Sequence, residues 1–142
     1  MKQRVYISSR FDRREEMKDV STAVQALGYD DVSHWIVQEE GANPSETVLR
    51  DRATLDRNDV YACDILVRFS DDLTTATIPS RWGTASRFEE TGMAYTLGKT
   101  IIVVGGNQSL FDRFESRIHV PDKSALYALL RVMLYNSVED FQ

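Results

Sequence analysis

Residues 88–104 read Phe88-Glu89-Glu90-Thr91-Gly92-Met93-Ala94-Tyr95-Thr96-Leu97-Gly98-Lys99-Thr100-Ile101-Ile102-Val103-Val104, and this stretch decides the fold. Met93, Ala94 and Leu97 follow Glu90 at helical spacing, so Phe88 to Leu97 is expected to be a helix that stops at Gly98. Thr100 to Val104 is then a short apolar run, as in a strand buried on both faces. The same alternation continues outward. Ile65 to Phe69 reads as a strand. Before it, Asn43, Pro44 and Glu46 predict an N-cap, a first-turn proline and a capping-box glutamate, for a helix that runs on through Val48, Leu49, Arg52, Ala53, Asp56 and Val60. Val5 to Ser8 and Val32 to Val37 read as the first two strands. Between them Asp12 and Glu15 suggest a capping box for a helix carrying Met17, Val20, Val24 and Leu27 and ending at Gly28. Downstream, Arg117 to Val120 is a short last strand. Pro121 and Asp122 open a final helix whose apolar face is Ala125, Leu126, Leu129, Leu130, Met133 and Leu134. Glu39 to Ala42 and the long, Thr-rich segment Ser70 to Trp82 read as loops.

Five strands alternating with helices over 142 residues predict one α/β domain, residues 1–142, built on a doubly wound five-stranded parallel sheet of flavodoxin or Rossmann type. Ligands of such sheets bind at the carboxyl ends of the strands, which points to the loops after Ser8, Val37, Phe69 and Val104.

Composition narrows the function. Lys and Arg number 17 against 22 Asp and Glu, a net charge of −5, which argues against a nucleic acid polymer as partner. One cysteine, Cys63, excludes an internal disulfide framework, and two histidines, His34 and His119, leave little for a metal site. Neither GxGxxG nor GxxxxGK[ST] occurs, so no dinucleotide or P-loop cofactor is expected. No apolar run approaches the roughly 18 residues of a membrane span. Residues Met1 to Ser8 carry no signal-peptide core, so a reducing cytoplasmic setting is expected.

Three groups of residues carry possible chemistry. Glu90 shares a helix face with Met93, Ala94 and Leu97, the inward face, near a helix N-terminus whose dipole favours the ionised form. Asp56 lies in line with Leu49, Ala53 and Val60. Carboxylates on apolar faces are costly unless paired or used. The plain alternatives are a solvated first-turn glutamate and an aspartate paired with Arg52 or Arg57. The third group, Ser8-Ser9-Arg10-Phe11-Asp12-Arg13-Arg14, offers hydroxyls and guanidinium groups at a strand-to-helix turn, a setting for a phosphate. Its alternative is pairing among its own charges with Glu15 and Glu16. Phe11, Trp35 and Trp82 are either base-stacking or packing aromatics, and Cys63 reads as a small buried hydrophobe.

These stretches resemble the nucleoside 2-deoxyribosyltransferase superfamily and its nucleotide N-glycosidase relatives. Val5 to Phe11 looks like the family's first strand and substrate loop. Asp56-Arg57-Asn58-Asp59-Val60 followed by Ala62 to Val67 looks like its aspartate-bearing helix entering the central strand. Arg87 to Tyr95 with Leu97-Gly98-Lys99 looks like its nucleophile helix, and Asn107 to Phe111 like the loop of a phage and bacterial subgroup. The resemblance places Glu90 at the nucleophile and Asp56 at a base-contacting aspartate. It implies substrate contacts from Ser9, Arg10, Phe11, Trp35, Ser86, Arg87, Asn107 and Ser116. Arg10 and Arg87 favour a 5′-monophosphate, because a guanidinium needs an anion. The family also implies a homodimer or higher homo-oligomer in which Ser116 or Arg117 completes a neighbouring site. Thr84 stands where many members have aspartate or serine, and Ala85-Ser86-Arg87-Phe88 where the subgroup often has Gly-Gly-Arg-His.

The reading is therefore cleavage of the N-glycosidic bond of a nucleoside 5′-monophosphate, by hydrolysis or 2-deoxyribosyl transfer, through Glu90 and a glycosyl-enzyme intermediate. Two alternatives stand beside it: a non-catalytic module that binds or sequesters nucleotides, and a flavodoxin-like interaction domain.

Overall fold

The computed structural model of the chain describes residues 2–38, 43–71 and 86–139. The expected loop at Glu39 to Ala42, most of the segment Ser70 to Trp82, and with them Trp82, Thr84 and Ala85, lie outside the described residues. Five strands form a parallel sheet: β1 (Arg4–Ser8), β2 (Asp30–Asp31), β3 (Ile65–Phe69), β4 (Thr100–Val104) and β5 (Ile118–Val120). Their order across the sheet is β2-β1-β3-β4-β5. Among the described residues three α-helices link successive strands, α1 (Arg14–Leu27), α2 (Glu46–Ala62) and α3 (Ser86–Thr96), and α4 (Lys123–Glu139) follows β5. This is the doubly wound sheet expected from the alternation of periodicities. β3 is the middle strand, with β4 interior beside it.

Residues 65–69 and 101–104 are buried throughout, as apolar runs covered on both faces must be. α1 packs with α4, and α2 with α3. Met17, Val20 and Val24 of α1 and Leu126 and Leu130 of α4 are wholly buried. Tyr29 ties the two helices together by donating to the Leu130 carbonyl at 2.6 Å. The register pairs Tyr6 with Leu66 and Ser8 with Arg68. Side chains alternate along a strand, so Tyr6, Ser8 and Arg68 all face α3, while Ile7, Val67 and Phe69 face the α1 and α4 side.

Three expectations need correction. The second strand is not Val32 to Val37 but the pair Asp30–Asp31, followed by a 3-10 turn at His34–Val37. The cause is local. The Asp31 carboxylate accepts from the Ser33 amide at 2.8 Å and from its hydroxyl. The Ser33 hydroxyl oxygen in turn accepts from the Ile7 amide at 2.7 Å, a donor that a continued strand would have bound with a carbonyl. The capping box Asp12–Glu15 does not form. A 3-10 turn, Phe11–Arg13, leads into α1, Asp12 accepts from Arg10 instead, and Glu15 pairs with Lys18. The cap of α2 is Ser45, not Asn43. Its hydroxyl accepts from the Val48 amide at 3.2 Å, and Pro44 precedes the helix. Other bounds shift by one or two residues, since α3 spans Ser86–Thr96 rather than Phe88 to Leu97 and β5 begins at Ile118 rather than Arg117; Gly28 and Gly98 follow their helices at φ +112° and +73°, conformations that suit glycine.

Candidate active site

Glu90 lies one turn into α3 and is 9% exposed. The inward face deduced from Met93 and Ala94 is the face it occupies, and the solvated alternative is excluded; Leu97, expected on the same face, is instead exposed, because it lies past the end of α3 at Thr96. Two hydroxyls from β1 hold it. Tyr6 donates to Oε2, and the Ser8 hydroxyl donates to Oε1 at 3.0 Å. Burial pushes the Glu90 carboxyl up to about 8. The Tyr6 hydrogen bond opposes that shift, the charge of Asp56 adds to it, and the Ser8 bond again opposes it. Tyr6 is itself driven well above the ordinary phenol range, by burial first and then by the charge of Glu90.

Asp56 stands within electrostatic reach of that group on α2. Burial, and next the charge of Asp59, raise its pKa to about 6, while Arg52 and His34 pull it down. Its Oδ1 is buried and accepts no hydrogen bond among the described residues. Asp59, one turn further along α2, is buried and spoken for: it accepts from the His34 amide at 3.1 Å and faces His34 Nδ1 at 2.9 Å. Asp59 is thus bonded through both its oxygens, whereas Asp56 keeps one buried oxygen without a hydrogen bond among the described residues.

Next to this carboxylate group stands a knot of arginines. Arg87, one turn before Glu90 on α3, reaches Asp71 Oδ2 at 3.0 Å, and Arg10 approaches the same oxygen at 3.7 Å. Arg13 approaches Asp71 Oδ1 at 3.6 Å. Arg10 also meets Asp12 at 2.8 Å and Arg13 meets Glu16 at 2.7 Å. The sequence reading thus finds Arg10 and Arg87 converging as expected, but on an anion supplied by the protein. Behind them Arg68 and Asp112 form a buried two-point pair at 2.7 and 2.6 Å, with Arg68 1% exposed. Asp112 also accepts from the amides of Gln108 and Ser109, so this pair fixes the loop after β4 against the end of β3.

The other candidates are placed as follows. The Ser9 hydroxyl donates to the Arg10 carbonyl at 2.9 Å. Trp35 is buried and donates its indole N–H to the Ile7 carbonyl at 2.7 Å, with the half-buried Phe11 ring 6.0 Å away. Ser86, Asn107 and Ser116 are exposed on three separate segments, and none bonds to Glu90 or Asp56 among the described residues. Arg117 is buried over the rings of Tyr95 and Phe114. Tyr6, Asp59, His34 and Asp71 were not singled out from the sequence as partners of the site. Tyr6 had a readable signal, since it stands two residues before Ser8 and so shares its strand face.

A cavity of about 690 Å3 lies on the opposite, α1 and α4, side of the sheet, floored by Phe69 and Val104. It shares Arg13 and Asp71 with the arginine knot, but Glu90, Tyr6 and Asp56 do not line it. Among the described residues no cluster of His, Cys, Asp and Glu can hold a metal ion, and no helix is long and apolar enough to cross a membrane.

The fold of the chain is matched in solved structures. A CMP N-glycosidase of Clostridium botulinum superposes with a TM-score of 0.58 at 16% identity, over 92% of this chain and 99% of that one. The chain has the nucleoside 2-deoxyribosyltransferase fold. The 2-deoxyribosyltransferase of Bacillus psychrosaccharolyticus superposes with a TM-score of 0.67 at 17% identity, covering 89% of this chain and 95% of that one. A conserved protein of Enterococcus faecalis V583 gives 0.58 at 15% identity, over 94% and 99%. No protein-family model matches the chain, and no curated protein matches its sequence. On this fold Glu90 meets Tyr6 from the middle of β1 and Ser8 from its carboxyl end, the end at which doubly wound sheets bind ligands.

Proposed function

We propose that the chain cleaves the N-glycosidic bond of a nucleoside 5′-monophosphate, by hydrolysis or by 2-deoxyribosyl transfer. The observation that carries this reading is the buried Glu90 carboxyl, aimed by two β1 hydroxyls at the carboxyl end of the sheet. The likeness in fold to a CMP N-glycosidase and a 2-deoxyribosyltransferase supports it.

In this mechanism an ionised Glu90 oxygen attacks C1′ as the bond to the base nitrogen breaks, through an oxocarbenium-like transition state. The electron pair of the broken bond leaves with the base, which takes a proton. Asp56, with its raised pKa and open Oδ1, is the group assigned to contact the base and supply that proton. Water, or a second base, then attacks C1′ of the glycosyl ester and frees Glu90. Tyr6 and Ser8 hold the carboxylate and bear part of its charge before attack. Arg10, Arg87, Ser9 and Ser86 are assigned to the phosphate, and Phe11 with Trp35 to the base side. Asn107 and Ser116 complete the substrate contacts, Ser116 from a neighbouring copy in a homo-oligomer.

The test is release of free base from a panel of ribo- and deoxyribonucleoside 5′-monophosphates, with and without an acceptor base, beside Glu90→Gln. Release of one base, lost in the variant, supports the assignment. Saturable nucleotide binding with no release from any substrate would replace it with a binding module.

A further inference from the structure

Arg10 has Asp12 and Arg13 has Glu16 and the Ser70 carbonyl as partners, yet both side chains also turn toward one further carboxylate. Three guanidinium groups, those of Arg10, Arg13 and Arg87, surround the single carboxylate of Asp71. Only Arg87 is at hydrogen-bond distance, at 3.0 Å, whereas Arg10 and Arg13 stand off at 3.7 and 3.6 Å. Asp71 Oδ1 is buried yet accepts no hydrogen bond among the described residues. The side chain is only 12% exposed, so water does little to make up the difference.

The carboxylate is also held in place. The Asp71 amide donates to Gln108 Oε1 at 2.9 Å, and Gln108 Nε2 donates back to the Asp71 carbonyl at 3.1 Å. The Gln108 amide is in turn bound by Asp112, the partner of Arg68. The backbone at Asp71 is therefore clamped, and its carboxylate can leave the arginines only by rotating about its own side-chain bonds.

A phosphate monoester suits this site better than a carboxylate. It carries three terminal oxygens and about −1.5 to −2 charges at neutral pH, enough to meet one donor from each of the three side chains. The position is also right. Arg87 and Glu90 are three residues apart on one helix face, about 4.5 Å of rise. Arg10 follows two residues after Ser8, which binds Glu90.

We propose that Asp71 is a resident counter-ion of an anion site formed by Arg10, Arg13 and Arg87, which a substrate phosphate must displace. Asp71 thereby sets the preference between a nucleoside 5′-monophosphate and the free nucleoside. The substrate half of this statement rests on the glycosidase reading. The exchange of carboxylate for phosphate does not, and is tested without turnover.

The experiment is calorimetric titration of the whole chain with inorganic phosphate, comparing wild type, Asp71→Asn and Arg87→Gln. Asp71→Asn is expected to bind phosphate about tenfold more tightly, the worth of one charge-assisted contact no longer competed for. Arg87→Gln is expected to bind it more weakly. The affinity ratio of monophosphate over nucleoside should rise by about the same factor in Asp71→Asn. Asp71→Ser provides a second variant, and melting curves confirm that each protein is folded. Unchanged or weaker phosphate binding in folded Asp71→Asn and Asp71→Ser overturns the proposal and makes Asp71 a brace for the arginines. Tighter phosphate binding with no base release from any protein upholds the counter-ion and removes only the glycosidase reading.

Discussion

Tyr6 and Glu90, 84 positions apart in sequence, share a buried hydrogen bond in which the phenol donates to the carboxylate Oε2. The bond joins the middle of β1 to the first turns of α3 and works against the burial that pushes Glu90 up to about 8. Removing the phenol takes away a hydrogen bond that favours the charged form, worth about 1.5–3 kcal/mol, or roughly one to two pH units at 1.36 kcal/mol each. Tyr6→Phe is therefore expected to lower the maximum of base release and to move its alkaline limb to higher pH by about one unit or more, read from a kcat/KM profile.

In the unaltered chain the shape of that profile follows from Glu90 and Asp56 together. Glu90 attacks only when ionised and Asp56 gives its proton only when protonated, so kcat/KM is expected to be bell-shaped, with limbs near 6 and 8 and a fall above about 8. A profile flat from neutral to alkaline pH would count against Glu90 as the nucleophile.

Glu90→Gln keeps the shape of the side chain and cannot form the ester. Loss of base release by about a thousandfold or more is expected, measured by chromatography of single-turnover reactions. Turnover within a few-fold of wild type would end the assignment.

Stability carries an independent signature of the raised carboxyl. The folded-state pKa of Glu90, about 8, lies above its ordinary 4.5, so the folded chain holds a proton that the unfolded chain releases. Stability from this group is full below about 4.5, falls as pH rises between the two values, and is gone above about 8. Asp56 acts the same way between 3.8 and about 6. The melting temperature is expected to fall across pH 5–8, and Glu90→Gln to flatten that slope. An equal slope in the variant would place the raised pKa elsewhere.

The Arg68–Asp112 pair is wholly enclosed, and Asp112 also satisfies two loop amides. Asp112→Ala leaves a buried guanidinium without its anion, which costs about 3–5 kcal/mol. Denaturant unfolding checks this, and a loss below about 1 kcal/mol would mean that water replaces the pair.

Much of the site was legible where it depended on spacing along one element. The alignment of Glu90 with Met93 and Ala94 was legible because helical periodicity is a local property, but the same reading put Leu97 on that face, where the structure exposes it past the end of α3. The alternation of apolar strands with capped helices was enough for the sheet class, and Gly28 and Gly98 follow their helices. Helix starts were less legible. Several Ser, Asn and Asp residues stand near each start, and competing local bonds choose among them, as Ser45 over Asn43 and Arg10–Asp12 over a capping box. The apolar look of Val32 to Val37 misled for a similar reason, since it fits a buried 3-10 turn around Trp35 and Ile36 as well as a strand.

The sequence by itself determined the parallel α/β sheet, the alignment of Glu90 with Met93 and Ala94 and the presence of arginines near the first turn, all of which follow from short-range periodicity and residue type, whereas the burial of Glu90 came from the packing of α3. Tertiary structure alone decided what those groups meet. Tyr6 and Ser8 reach Glu90 because strand register sets their faces toward α3. His34 takes Asp59 and leaves Asp56 open. Arg10, Arg13 and Arg87, drawn from two helix beginnings, close on Asp71 at the end of β3. Each of these pairings joins residues far apart in the chain. Their energies depend on burial and distance, quantities that exist only once the sheet has assembled.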